Sequence, residues 1–103
     1  MGLTSKLAES AGISSMNSGS LELIAFRDAE RFVESARQKG FIVLGIEGLR
    51  VVDGRTVPDM DAIADFAERD FDGTLPDSDA CQFVREVGEE GMLFDFTFRS
   101  KGS

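Results

Sequence analysis

Carboxylates crowd one fifth of this 103-residue chain. Asp59, Asp61, Asp65, Glu68, Asp70, Asp72, Asp77 and Asp79 are opposed only by Arg69, so the stretch from 59 to 79 carries −7 of a net charge of −8. Carboxylates at that density can attract a cationic surface, ligate a divalent cation or take part in phosphoryl transfer. Asp61, Asp65 and Glu68 stand at i, i+4 and i+7, the spacing of one helical face. Like charges so placed repel by roughly 0.2–0.5 kcal/mol per pair, which points to a partner that relieves them. The surface expected to dock a basic protein is therefore Asp61, Asp65, Glu68, Asp70 and Asp72. Glu47 is a second candidate: it interrupts an apolar stretch and would be the polar anchor of a small ligand. A calcium loop starting at Asp70 fails, because Cys81 stands where the bidentate Glu belongs. No metal and no cofactor are expected.

The missing residue types narrow the chemistry further. The chain has no His and a single Cys. That excludes Ser–His–Asp and Cys–His nucleophiles, His-ligated metals, intrachain disulfides and zinc–thiolate clusters. A net charge of −8 opposes binding to phosphate backbones, so nucleic acid is not an expected partner. Arg50, Arg55 and Arg99 are too few for a nucleic-acid footprint. No apolar run approaches the ~20 residues of a membrane helix, and the N-terminus has no apolar core of a signal peptide. The expected compartment is the cytoplasm.

The elements that must position these residues follow from periodicity. Residues 1–20 are rich in Ser, Gly and Ala and read as a tail or leader, although Leu3, Leu7, Ala8 and Ala11 could form an amphipathic turn that packs on the domain. Residues 21–99 form a single domain, and 100–103 a C-terminal tail. Ala25, Ala29, Phe32, Val33 and Ala36 predict a helix from Leu21 to Lys39, capped by Ser20 and stopped by Gly40. Phe41–Ile46 reads as a buried strand that resumes over Leu49–Val52, with Gly48 allowing a bulge. Asp53-Gly54 predicts a type I′ hairpin turn, and Pro58 the end of the extended segment. Ile63, Phe66, Ala67 and Phe71 predict a second helix over 59–70, bearing the carboxylate face. Ala80, Phe83, Val84 and Val87 predict a third, capped by Asp77 or Ser78. Met92–Phe98 alternates as a half-buried strand. The fold expected is α+β, in the order α-β-β(-β)-α-α-β, with about three helices on a small, mostly antiparallel sheet.

Two resemblances bear on function. Asp70-Phe71-Asp72-Gly73-Thr74-Leu75-Pro76-Asp77-Ser78 resembles the first motif of the haloacid dehalogenase-like hydrolases. That likeness implies a Mg²⁺-dependent phosphohydrolase, with Asp70 as nucleophile and Asp72 as general acid/base. Three features oppose it: a helical pattern precedes the motif where the family has a strand, too little chain follows for a doubly wound parallel sheet, and the sole downstream Lys is Lys101. The motif is read as turn and capping chemistry. The segments Phe41–Leu49, Pro58–Phe66 and Phe94–Phe98 together resemble the layout of small bacterial toxin-immunity proteins, a layout shared by small proteins of mobile gene cassettes. This resemblance implies a cytoplasmic inhibitor that binds a basic toxin, with no catalytic residues. The expectation is a non-enzymatic acidic protein-binding domain. The alternatives are a small-ligand or homodimeric module, and the phosphohydrolase.

Overall fold

The computed structural model describes residues 3–19, 21–65 and 76–100. The elements run α1 (Leu3–Ser10), β1 (Ser15–Ser18), β2 (Leu21–Ala25), α2 (Phe26–Gln38), β3 (Phe41–Val52), β4 (Arg55–Asp65), α3 (Pro76–Val87) and β5 (Leu93–Ser100). The strands form one antiparallel sheet in the order β1-β2-β5-β3-β4. The α+β expectation holds. The last strand in sequence is the middle strand of the sheet, so the fold closes only when β5 slots between β2 and β3. No helix among the described residues is long and apolar enough to cross a membrane.

The core lies between the helices and one face of the sheet. Alternation along β5 puts Phe94, Phe96 and Phe98 on that face. Their rings form a column, 6.4 Å between Phe94 and Phe96 and 6.0 Å between Phe96 and Phe98. Phe32 of α2 is fully buried against it, 5.1 Å from Phe96 and 5.6 Å from Phe98. Ala29, Val33 and Ala36 complete the buried stripe of α2, as the helical spacing predicted. From α3, Ala80, Cys81 and Val84 are buried in the same core. Leu23, Leu49 and Leu93 form a smaller cluster apart from it.

Three expectations are corrected. First, residues 3–18 are part of the fold and not a tail: Leu7, Ala8 and Ile13 are buried in the main core. Ser5 of α1 ties the segment down, its hydroxyl donating to Glu22 of β2 at 2.5 Å and lying 3.2 Å from the Ser15 hydroxyl of β1. Second, Leu21–Ala25 is a strand and the helix starts at Phe26. Leu23 and Ile24 are adjacent in sequence and both wholly buried, one in each cluster. That is the two-sided burial of a strand with neighbours on both edges. The expected cap Ser20 lies outside the described residues. Ala25 takes the cap position without a side-chain bond, and the Phe26 amide donates to Met92 O at 3.0 Å.

Third, residues 59–65 are strand, not helix. The turn at Asp53-Gly54, with φ of 52° and 76°, returns the chain alongside β3 as expected. Pro58 does not end the strand. It pairs with Leu49 on the edge of the sheet, where a missing N–H is tolerated. The ladder then breaks: Leu49 faces Pro58 but Glu47 faces Ile63, so Gly48 alone spans what β4 covers with residues 59–62. Gly48 makes this closure fit. A Cβ there would stand 2.7 Å from Ala62 Cβ, 2.9 Å from Met92 Cε and 3.2 Å from Phe94 Cε1. At Gly45 the nearest approach would be an ordinary 3.5 Å.

Gly48→Ala is expected to destabilise the protein by about 1–3 kcal/mol, the usual effect of overpacking a rigid site, while Gly45→Ala changes it by less than about 0.5 kcal/mol. Urea denaturation of the two variants side by side measures the difference. Equal midpoints would show that the closure at Gly48 is not tight.

Candidate functional site

The β3–β4 hairpin carries the surface features that the helical core leaves unexplained. β5 runs alongside β3 only as far as Leu49, so beyond that point β3 and β4 pair with each other alone. Among the described residues six large apolar side chains are exposed, and Val51, Val52, Val57, Met60 and Ile63 are all on this hairpin. Met60, 78% exposed, sits in the bulge.

Carboxylates surround these groups, but they are not equivalent. Asp59 is engaged structurally. Its Oδ2 accepts from Arg50 Nε at 2.8 Å, and its Oδ1 accepts from the Asp61 amide at 3.0 Å, which shapes the bulge. The Asp61 amide and then the Arg50 guanidinium hold the Asp59 carboxyl below the usual carboxylate range. Arg50 also donates from Nη1 to Glu89 Oε2 at 3.1 Å, tying the hairpin to the loop before β5, and both partners raise its pKa. Asp61 is exposed on β4.

On the face opposite the helices lies a carboxylate pair. Glu47 of β3 stands directly across from Asp95 of β5, with Ile63 of β4 on its other side. Both carboxylates are half-buried. Together with Gly45, Ile63 and Thr97 they line a shallow cavity of about 160 Å³. Burial, and then the charge of Glu47, push the Asp95 carboxyl above its ordinary value. Like charges set directly opposite one another destabilise a sheet, so this pair opposes folding as long as it stays unrelieved.

The expected site residues fare unequally. Asp61 is on the surface as expected, but on a strand. Asp65 closes β4 opposite Gly45, and nothing of its side chain is described. A single helical face joining Asp61, Asp65 and Glu68 does not exist, since β4 runs through Asp65. Glu68, Asp70 and Asp72 lie outside the described residues. The residues directly before the hydrolase-like motif, 66–69, lie outside the described residues. Among the described strands the sheet is antiparallel, where that family requires a parallel one. Glu47, expected as a ligand anchor, does line a cavity. At about 160 Å³, this cavity and another of about 170 Å³ beside Phe26 and Met92 fall below the ~300–1,000 Å³ of typical small-molecule pockets. Among the described residues no three metal-ligating groups cluster. Residue-by-residue reading overlooked Asp95 and the exposed apolar groups. Their signal was available in the alternation of β5 and in the apolar residues flanking Asp53-Gly54. No protein-family model matches the chain, and no curated protein matches it.

The Asp95 shift has a definite sign. The folded state holds this proton more tightly than the unfolded chain, so the group favours folding fully below the ordinary value of 3.8 and loses that contribution as pH rises through the raised folded value. Asp95→Asn is therefore expected to raise the urea midpoint at pH 7, with the gain vanishing below the ordinary carboxylate range. In Glu47→Gln, carboxyl NMR should show the Asp95 pKa moving only part of the way back, because burial is the larger cause. A full return would assign the shift to Glu47 instead.

Proposed function

We propose that the protein is a non-enzymatic, acidic binding domain that docks a basic protein partner through the β3–β4 hairpin. The observation that carries this reading is the concentration of exposed Val51, Val52, Val57, Met60 and Ile63 on one hairpin, among carboxylates. Exposed apolar groups gathered in one place mark interaction surfaces more often than scattered ones do. Their division of labour with the charge is physical. A net charge of −8 steers a cationic partner toward the chain and sets the association rate and its salt dependence. The apolar side chains then supply contact area that salt does not weaken. Asp61, exposed between Met60 and the core-facing Ala62, is where the two come together. In its narrower form the reading makes the partner a bacterial toxin and the protein its immunity inhibitor, as the layout resemblance implies.

The test is capture from the source cell with wild-type protein and with the double variant Met60→Ser, Asp61→Lys. Both positions are exposed, so the variant should fold. A basic protein should be retained by the wild type at low salt, captured more slowly and in smaller amount above about 0.5 M salt, where the Debye length falls to a few ångströms, and lost from the variant at any salt. Retention by the variant equal to wild type would overturn the reading. The narrower form further requires that the captured protein be toxic and that the wild-type chain suppress its activity.

A further inference from the structure

The outer edge of β4, which no other described strand covers, specifies how a basic partner would bind, given the docking surface proposed above. We propose that residues 61–65 of β4 accept an extended, basic segment of the partner as an added strand, with one cationic side chain beside Asp61 and an apolar one against Ile63.

Among the described residues β4 has a neighbour on one side only, so its outer backbone groups are a template for another strand. Residues 61–65 are the part of β4 suited to this. Pro58 and the bulge at 59–62, in which the Asp61 amide already donates to Asp59, interrupt the edge; past them the chain contains no Pro and pairs regularly with β3 from Ile63 to Asp65, with Asp61 at the lip of the bulge. On the helix side Ala62 and Ala64 are small and packed into the core, which leaves no bulky side chain in the path of an added strand. On the other side the alternation sets exposed Asp61 beside exposed Ile63, with Glu47 directly across from Ile63 and Asp95 across from Glu47. A strand laid along this edge meets the exposed Asp61 and then the exposed Ile63, with Glu47 and Asp95 behind Ile63 on the same rung. The complementary pattern is basic, any residue, apolar.

Charge decides the occupant. Edge strands are commonly protected by charged residues and bulges, and here the charge is negative. Antiparallel pairing of two β4 edges would bring Asp61 of one copy toward acidic residues of the other, between chains that each carry −8. Like charges across strands oppose that dimer. Asp61 and the net charge of −8 favour a basic segment instead. The edge therefore discriminates against its own kind and in favour of cations.

The experiment uses the full chain and three probes: a short synthetic peptide alternating Lys, Thr and Ile in this pattern, and two analogues carrying backbone N-methyl groups on one or the other set of alternate amides. Binding is read by calorimetry, and amide hydrogen exchange is followed over residues 61–65. The parent peptide should bind, slow exchange at those amides, and bind about tenfold more weakly to Asp61→Lys, the scale of one charge-assisted contact. One N-methyl analogue, whose blocked amides face β4, should lose binding by at least about tenfold, with its charge and side chains unchanged. If both analogues bind like the parent, strand addition is wrong, although charge-driven docking stands. No binding of the parent peptide, or binding without protection at 61–65, overturns the proposal as well. So does a concentration-dependent dimer of the free chain that protects the same amides, because the occupant is then a second copy. Failure of the docking surface itself would appear separately, as unchanged capture by the Met60→Ser, Asp61→Lys variant.

Discussion

The packing of Phe32 into the phenyl column of β5 is the interaction on which the rest of the structure depends. β5 is the last element in sequence and the middle strand in space, so no strand order is fixed until it is in place. Phe94, Phe96 and Phe98 give it an apolar face that α2 covers, and Phe32 reaches two of the three rings. Phe26 and Phe41, at the two ends of the segment carrying α2, reach Phe94 and Phe98 at 6.3 Å and 6.5 Å. Among the described residues these six Phe form one connected network. Each pair adds a modest directional term to a large burial of area. Its effect on topology is greater: it places the helices on one face and leaves the other face of β5, with Asp95 and Thr97, to the surface.

A second constraint follows where β3 outgrows that core. β3 extends past the end of its pairing with β5 at Leu49, and β4 follows it out to the turn and back. The returning strand must rejoin a sheet already closed around Met92 and Phe94, and Gly48 with the bulge at 59–62 is how it does so. Arg50 holds the junction from the other side by bonding Asp59 and Glu89. These are exposed pairs, and such pairs contribute little to global stability. Their effect is on position: they fix where Met60, Asp61 and the outer hairpin stand relative to the core.

Much of this was legible in the sequence wherever one face of an element is buried and the other is wet. The stripe of α2, the alternation of β5, the apolar face of α3 and the hairpin at Asp53-Gly54 all follow that rule. The misreadings share a cause. Leu21–Ala25 continues the apolar spacing of the helix after it, and only its pairing with β1 and β5 makes it a strand. Of the apolar set read as a helix, Ile63 belongs to a strand whose phase the bulge shifts relative to its partner, while Phe66, Ala67 and Phe71 lie outside the described residues. A bulge set by Gly48, fifteen residues away, leaves no local trace. Residues 3–18 were legible in part: Leu7, Ala8 and Ala11 carry the amphipathic turn that packs on the core, but among Ser and Gly the segment is short enough to read equally as a tail.

That phase shift also changes what the acidic stretch means. On a helix, Asp61 and Asp65 would have joined Glu68 in one patch of repelling charge. On a strand, Asp59 is drawn into a structural bond with Arg50, while Asp61 is set beside Ile63 on an edge. Charge that would have been diffuse is distributed between a brace and a boundary. A boundary of carboxylates next to exposed apolar groups is selective in a way that a charged patch is not. It repels a second copy of the same chain, and it excludes an acidic strand whatever its hydrophobicity. It remains open to a strand that brings both positive charge and an apolar residue in alternation. Steering by net charge would act on any cation, so specificity must come from the backbone edge and the two-residue period of the side chains beside it.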